Sequence, residues 1–225
     1  MAPSLNETGS LYPVSDEWFR SPHWDQAARA DFEQRLSRAQ AHDRSQYLHI
    51  KALALREARM LDEARNLLLR VTTQHPLTAD AAFAAELLGD LAREQGRVGV
   101  AESYYRSVLQ RWPSLNGTSW MVEVSLAELL TARGGDPACN EALQLLQNRL
   151  NRVPPMLDDD LFRWHVALAR AAGQLGDTET QQRAARTALS LVDRGAQFAR
   201  HPTIGLVNTD KRTLAWLRQL AANGD

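Results

Sequence analysis

A chain of 225 residues can bury a full core, either as one elongated domain or as two small ones. Hydrophobic residues make up 44% and charged residues 24%, the balance of an ordinary globular protein. The net charge is −1 and both signs are mixed along the chain, so the basic stripe of a nucleic-acid binder is missing.

Nearly everything after residue 21 reads as helix, with no convincing period-two strand. Residues 1–21 form a turn-rich segment, and the stretch "LYPVSDEWFRSPHWD", residues 11–25, carries the aromatics Tyr12, Trp18, Phe19 and Trp24. Each ring gains much by burial, so this segment is expected to fold back as a cap over the first helices. Occupancy of a groove, or packing on a second copy, are the alternatives. Ser21 followed by Pro22 is a helix-start signal, and Trp24, Ala28, Phe32, Leu36 and Ala39 then recur at helical spacing. Asp43 is placed to cap the next helix, whose stripe is Tyr47, Leu48, Ala52 and Leu55. Another runs from about Leu61 to His75 and stops at Pro76. Further helices are predicted over 78–95, 97–111, 118–133, 137–152, 158–175 and 178–194, with Asp136–Pro137 and Asp177–Thr178 as capping signals. After the turn-rich "GAQFARHPTIGLVN" a last helix spans about 209–222.

Short helices joined by short turns, in pairs, suggest a repeat. With Gly89 as origin, Gly96 lies 7 residues on, Ala101 12, Tyr105 16 and Pro113 24. With Ala52 as origin, Ala64, Leu68 and Pro76 fall at offsets 12, 16 and 24, and Arg59 stands at the turn-glycine position. A third frame begins at Ala127 with Gly134; Ala142, Leu146 and Pro154 come three residues late, an insertion that "GGDPACNE" absorbs. The fourth starts at Ala169 with Gly176 and then drifts, with Gln181 where a small residue belongs and no closing proline.

Each offset has a physical reason. A glycine inside a helix costs about 1 kcal/mol relative to alanine, so Gly89 must be repaid by close approach of a second helix, to which Ala101 contributes from the facing side. Tyr105 fills the space beside that contact. Gly96 reaches the left-handed conformation that reverses the chain, and Pro113 forbids continuation of the helix. The stretch "LLGDLAREQGRVGVAESYYRSVLQRWP" thus encodes an antiparallel helical hairpin.

This pattern resembles the tetratricopeptide repeat. The match is strongest in 81–113, good in 45–76, moderate in 119–154 and weak in 161–194. The resemblance implies an all-α, right-handed α-solenoid over residues 22–222, with hairpins at about 43–76, 78–113, 118–154 and 158–194. An N-terminal aromatic cap and a C-terminal capping helix at 209–222 would close its ends. It also implies a non-enzymatic protein-interaction module in which the first helix of each pair lines a concave groove. The expected groove positions are Gln46, His49, Leu53 and Arg56 in the first repeat and Phe83, Glu86, Asp90 and Arg93 in the second. The third supplies Met121, Val124 and Glu128, and the fourth Arg163, Val166 and Arg170. Together they make a surface of mixed charge with apolar spots, suited to a peptide or an exposed helix. The family's best-known peptide site clamps a C-terminal carboxylate with lysine and asparagine, and these positions carry neither. A structural homo-oligomer joined through the aromatic N-terminus or the last helix (Leu214, Trp216, Leu217, Leu220) is the first alternative. A ligand- or peptide-sensing regulator is the second. The expected assembly is a monomer or weak homodimer.

Other chemistry finds little support. Cys139 is the single cysteine and reads as a small buried thiol. His23, His42, His49, His75, His165 and His201 show no metal-ligand spacing, so neither metal nor cofactor is expected. Asp158, Asp159 and Asp160 sit at a helix start, where negative charge suits the dipole, and Asp158 is expected to meet Arg163 across a turn. An acid–base role for these with His165 is the weakest reading. No run approaches the roughly 20 apolar residues of a membrane span, and "MAPSLNETGS" is not a secretory signal, so a cytoplasmic location is expected. Lys51 and Lys211 are the only lysines. That reads mainly as a coding bias, although arginine also favours carboxylate partners.

Overall fold

The computed structural model describes residues 18–152, 156–195, 197–198 and 200–222, and all regular structure among them is helical. The chain divides into two compact units, residues 1–95 and 96–225. The first holds α1 (Gln26–Arg38), α2 (Arg44–Glu57), α3 (Leu61–Gln74) and α4 (Ala79–Glu94). The second holds α5 (Val98–Arg111), α6 (Val122–Arg133), α7 (Asp136–Leu150), α8 (Asp158–Gln174), α9 (Thr178–Val192) and α10 (Lys211–Ala222).

In the first unit α2 packs on α3, and α3 in turn on α4. The α2–α3 hairpin is tight because its expected small positions, Ala52 and Ala64, are both buried, with Leu48, Leu55 and Leu68 around them. Arg29 Nη2 meets Glu63 Oε1 at 3.2 Å and Arg70 grips Glu33, which fastens α1 to α3. The aromatic strap before α1 packs inward. Trp18 lies 5.0 Å from Phe32 and 5.2 Å from Tyr47 between ring centres, Phe19 stacks on Tyr47 at 4.8 Å, and Trp24 meets Phe32 edge-on at 5.3 Å. Tyr12 lies outside the described residues.

Lys51 fastens that strap. Its side chain is enclosed, and its ammonium donates to the carbonyls of Ser21 (2.5 Å) and His23 (3.1 Å). It also lies 5.1 Å from the Trp24 ring centre and 5.6 Å from that of Phe32. Burial lowers its pKa from the usual lysine range. The strap changes where α1 starts. Asp25, not Ser21, caps the helix, its carboxylate accepting from the Ala28 amide at 2.8 Å. The Ser21 hydroxyl instead accepts from the His23 amide at 3.2 Å and closes a local turn.

In the second unit α6 packs on α5, α7 and α8, while α9 contacts both α8 and α10. Ala127 and Ala142 are fully buried in the α6–α7 hairpin. A further cluster joins Phe162 and Val166 of α8, Ala185, Ala188 and Leu191 of α9, and Leu217 of α10, with Val207, Trp216 and Leu220 against it. α6 begins at Val122, later than the spacing predicts. Thr118 diverts the chain there: its hydroxyl donates to the Leu115 carbonyl at 2.7 Å and accepts from the Trp120 amide at 3.1 Å. That turn puts Leu115 and Trp120 at φ +57° and +67°.

Helix caps follow the sequence in part. Asp177 caps α9 by accepting from the Thr180 amide at 3.0 Å. Asp43 stands at the N-cap of α2 without a side-chain bond, and Asp136 is already helical, with Gly135 at the cap. The turn position of all four frames is left-handed: Gly96, Gly134 and Gly176 have φ of +71°, +80° and +75°, and Arg59 adopts +64°. The Met60 amide bonds the Leu55 carbonyl and the Arg59 amide that of Arg56, both at 2.9 Å. Those two bonds satisfy the helix end as a Schellman turn, so Arg59 does a glycine's work against its own Cβ.

Candidate partner-binding surface

In the first unit the neighbouring faces of α2 and α4 are joined by polar contacts. Asp80 accepts from the Ser45 hydroxyl at 2.7 Å with one oxygen and pairs with His49 Nδ1 at 3.0 Å through the other. The hydrogen bond from His49 holds the Asp80 carboxyl below the usual range, and the Ser45 bond works in the same direction against burial. The His49 ring lies 4.5 Å from that of Phe83. Two turns further along, Arg56 grips Glu94 and its second nitrogen lies 4.0 Å from Asp90. Leu53, Phe83, Asp90 and Arg93 are half-buried and Gln46 is exposed, whereas Glu86 is only 4% exposed.

In the second unit the corresponding pair is α6 and α8. Arg163 embraces Glu128 with two bonds, at 2.8 and 2.7 Å, and also donates to the Ser125 hydroxyl at 2.9 Å. Gln174 Nε2 donates to the Thr131 carbonyl at 3.0 Å, and the buried Cys139 thiol lies 3.6 Å from the same amide's oxygen. Two hollows flank this face. The larger, of about 630 Å3, lies among α6, α8, α9 and the start of α10, with Thr131, Ala167, Arg170, Gln181, Arg212 and Trp216 in its wall. The smaller, of about 340 Å3, runs between Asp159, Asp160 and Phe162 of α8 and the segment Val207–Thr209.

Several expected groove positions are corrected here. Met121 and Val124 are at most 3% exposed, because α6 is apolar on nearly all sides and is enclosed on nearly all of them. Val166 is covered by its cluster with Phe162, Leu217 and Val207. Of the third- and fourth-repeat positions, Glu128, Arg163 and Arg170 reach the surface. Asp158 does not meet Arg163. It bonds Arg194 at 3.1 Å and its amide is held by Gln197, which ties the start of α8 to the end of α9.

No family model matches this sequence, and no curated protein resembles it closely enough to match. Solved structures do. A tetratricopeptide repeat protein from Parabacteroides merdae aligns at TM-score 0.57 over 88% of this chain and 68% of its own, at 15% identity. A thermophilic protein of the same repeat type from Thermus thermophilus aligns at TM-score 0.53 over 80% of this chain and 83% of its own, at 19% identity. The chain has the tetratricopeptide-repeat fold.

Within that repeat frame the fourth hairpin explains its own drift. A Cβ on Gly173 of α8 would lie 2.0 Å from Gln181 Nε2 and 2.7 Å from its Cδ. The large residue on α9 is therefore matched by a missing side chain on α8, one turn past the frame's origin at Ala169. Reading from the origin alone missed this exchange.

Two charged groups also escaped the repeat reading. Glu123 of α6 is 1% exposed and receives two bonds from Arg152, at 2.9 and 3.0 Å, while Arg152 also holds the Pro113 carbonyl at 2.8 Å. Arg149 of α7 is buried beside them, in the field of Asp160 and Glu123. Burial, reinforced by Asp159, raises the Asp160 carboxyl above the usual range. Of the histidines, His165 sits edge-on to Trp164 at 4.8 Å, and burial lowers its pKa to about 4. It is neutral at neutral pH. Among the described residues no group of three or more His, Cys, Asp and Glu is placed to hold a metal ion, and no helix is long and apolar enough to cross a membrane.

Proposed function

We propose that this protein is a non-enzymatic interaction module that binds a peptide or an exposed helix of another protein through the faces of the first helices of its hairpins. The observation that carries the reading is the fixing of those faces before any partner arrives. In the first unit Ser45, Asp80 and His49 hold the rim on which Phe83 and Leu53 lie half-buried, and Arg56 is locked by Glu94. In the second, Ser125, Arg163 and Glu128 are locked together beside the larger hollow. A surface already ordered loses little side-chain freedom on binding, which is where affinity in small interfaces is gained. The fold neighbours support the same class of role, since the repeat is a scaffold whose function lies in its surfaces.

Arg163 therefore acts differently from a free cation awaiting an acidic partner: Glu128 already neutralises it. The apolar faces named in the self-association alternative have internal uses. Leu217 of α10 is buried against α8 and α9 with Trp216 and Leu220 beside it, and Trp18, Phe19 and Trp24 pack on Phe32 and Tyr47.

The test is quantitative affinity capture from native lysate with wild type and two variants, Phe83→Ala for the first unit and Arg170→Glu for the second. Anchors of this kind contribute about 2 kcal/mol or more, so at least one variant is expected to lose its main partner by about thirtyfold while keeping its circular dichroism spectrum. Wild-type capture by both folded variants would refute the reading.

A further inference from the structure

The connection from α5 to α6 carries the pair Asn116–Gly117; the only other Asn–Gly pair in the sequence is Asn223–Gly224. An asparagine before a glycine has a reaction of its own, because the next residue's amide nitrogen can attack the side-chain carbonyl carbon. A larger residue at that next position crowds the approach, and glycine leaves it open. In a folded chain the attack also needs an accessible asparagine, an untied side chain and an untied glycine amide.

The second unit meets all three needs. Asn116 is exposed, although Leu115 before it and Thr118 after it are buried. Leu115–Thr118 is a four-residue turn, closed by the Thr118 amide donating to the Leu115 carbonyl at 3.1 Å. Gly117 is third in it with φ +79°, the value of a type II turn. The bond that closes such a turn joins its first and fourth residues and leaves the central peptide out. Among the described residues the Asn116 side chain and the Gly117 amide accordingly make no hydrogen bond; only the Asn116 main-chain amide is held, by the Ser114 hydroxyl at 3.4 Å. Other asparagines are placed differently. Asn66, Asn140 and Asn148 lie inside helices, and the side chains of Asn148 and Asn151 accept from Gln144 and Gln147 at 3.1 and 3.2 Å.

We propose that Asn116 is a site of spontaneous deamidation in the folded protein, giving aspartate and isoaspartate in the turn that leads into α6. The Gly117 nitrogen gives its proton to solvent base and bonds the Asn116 Cγ. The Cγ–Nδ2 bond breaks, and the side-chain nitrogen takes a proton from water and leaves as ammonia. One water molecule then opens the cyclic imide. Opening at Cγ gives aspartate; opening at the main-chain carbonyl carbon gives isoaspartate, with the chain rerouted through Cβ and Cγ. No oxidant or reductant takes part. Both products add a negative charge, but only isoaspartate lengthens the main chain, by one carbon. In so short a turn that carbon parts the Leu115 carbonyl from the Thr118 amide and hydroxyl, which hold it at 3.1 and 2.7 Å. The same hydroxyl accepts from the Trp120 amide, so isoaspartate loosens the entry to α6 and the burial of Leu115.

The experiment ages the purified full chain in mildly alkaline buffer without denaturant, then digests it and maps the peptides by mass spectrometry. Isoaspartate is located by enzymatic methylation of its free α-carboxylate. The peptide holding residue 116 is expected to gain one mass unit in a first-order course that quickens as pH rises, and to become a methyl acceptor. Asn116→Ser should lose both signals at that peptide and leave the rest of the map unchanged. No gain at residue 116 in the native chain, or a gain seen only when urea is added, would overturn the assignment, because the folded turn would then protect the pair. The effect on the turn has its own readout. Aged wild type should melt below Asn116→Glu aged alongside it, which carries the charge on a chain of ordinary length. Equal melting temperatures in a sample rich in isoaspartate would overturn the loosening of the α6 entry.

Discussion

Replacing Gly173 by alanine sets two effects of similar size against each other, and their balance depends on one neighbour. Gly173 lies near the end of α8, where alanine is preferred to glycine by about 1 kcal/mol. The new methyl would stand 2.0 Å from Gln181 Nε2, 2.7 Å from Cδ and 3.3 Å from Oε1, so the Gln181 side chain has to leave. Its amide makes no hydrogen bond among the described residues, so the cost is steric and in packing, in the usual overpacking range of about 1–3 kcal/mol. Gly173→Ala in the wild-type background is therefore expected to be neutral or destabilising by about 1–2 kcal/mol. In a Gln181→Ala background the clash is gone and the same substitution should stabilise by about 1 kcal/mol. The double-mutant cycle, run by urea denaturation without ligand, should yield a coupling of at least about 1 kcal/mol. A coupling within about 0.3 kcal/mol of zero would show that glutamine and glycine do not share that space, and the account of the fourth hairpin would fall.

Arg59→Gly should raise stability by about 0.5–1 kcal/mol, because glycine avoids the left-handed Cβ penalty at φ +64° and loses only part of that gain to chain entropy; a lower melting temperature would refute it. Lys51→Met should destabilise the first unit by about 2–3 kcal/mol, since it removes a charged donor and strands the carbonyls of Ser21 and His23, and tryptophan emission should shift red as the strap loosens. His165 titrates near 4 in the folded chain against 6.5 for the free side chain, so the unfolded state binds the extra proton between those values. Stability should therefore rise with pH from about 4 to 6.5 and level off above, and His165→Leu should flatten that slope; an unchanged slope would place the titrating group elsewhere.

The hairpins were legible because their signals are local. A turn needs a left-handed residue and a close crossing needs a small one, and both recur at fixed offsets, as at Ala52, Ala64, Ala127, Ala142 and the turn glycines. Arg59 shows that the offset carries more information than the residue type: the frame placed the turn correctly although the residue disfavours it. What stayed hidden depends on contacts far apart in sequence. Val124 was assigned to an open face because its periodicity matches the neighbouring repeats, yet α6 is enclosed and has almost no open face. Asp158 was matched to Arg163 by proximity along α8, whereas Asp158 takes Arg194, just past the end of α9, and Arg163 takes Glu128 of α6. Lys51 left a trace as one of only two lysines, but a count cannot say that an ammonium is wedged between two carbonyls and two rings. The arginines in the wall of the larger hollow were half visible: Arg170 was named, while Arg212 waited on the placement of α10.

The ion pairs recur at nearly the length of one repeat. Arg29–Glu63, Arg70–Glu33 and Arg56–Glu94 are 34, 37 and 38 residues apart in the first unit, and Arg106–Glu141 and Arg163–Glu128 are 35 apart in the second. An arginine-rich composition thus becomes a set of rivets between successive hairpins, on top of the apolar seams that join them. Such coupling makes neighbouring hairpins unfold together, and it is the part of that cooperativity which electrolyte weakens. Guanidinium chloride is a salt and urea is not, so guanidinium screens these pairs in addition to solvating the apolar and peptide groups on which both denaturants act. In urea the rivets are expected to persist and each unit to melt as a block; in guanidinium they should be screened at the outset, so that the hairpins come apart more nearly one at a time.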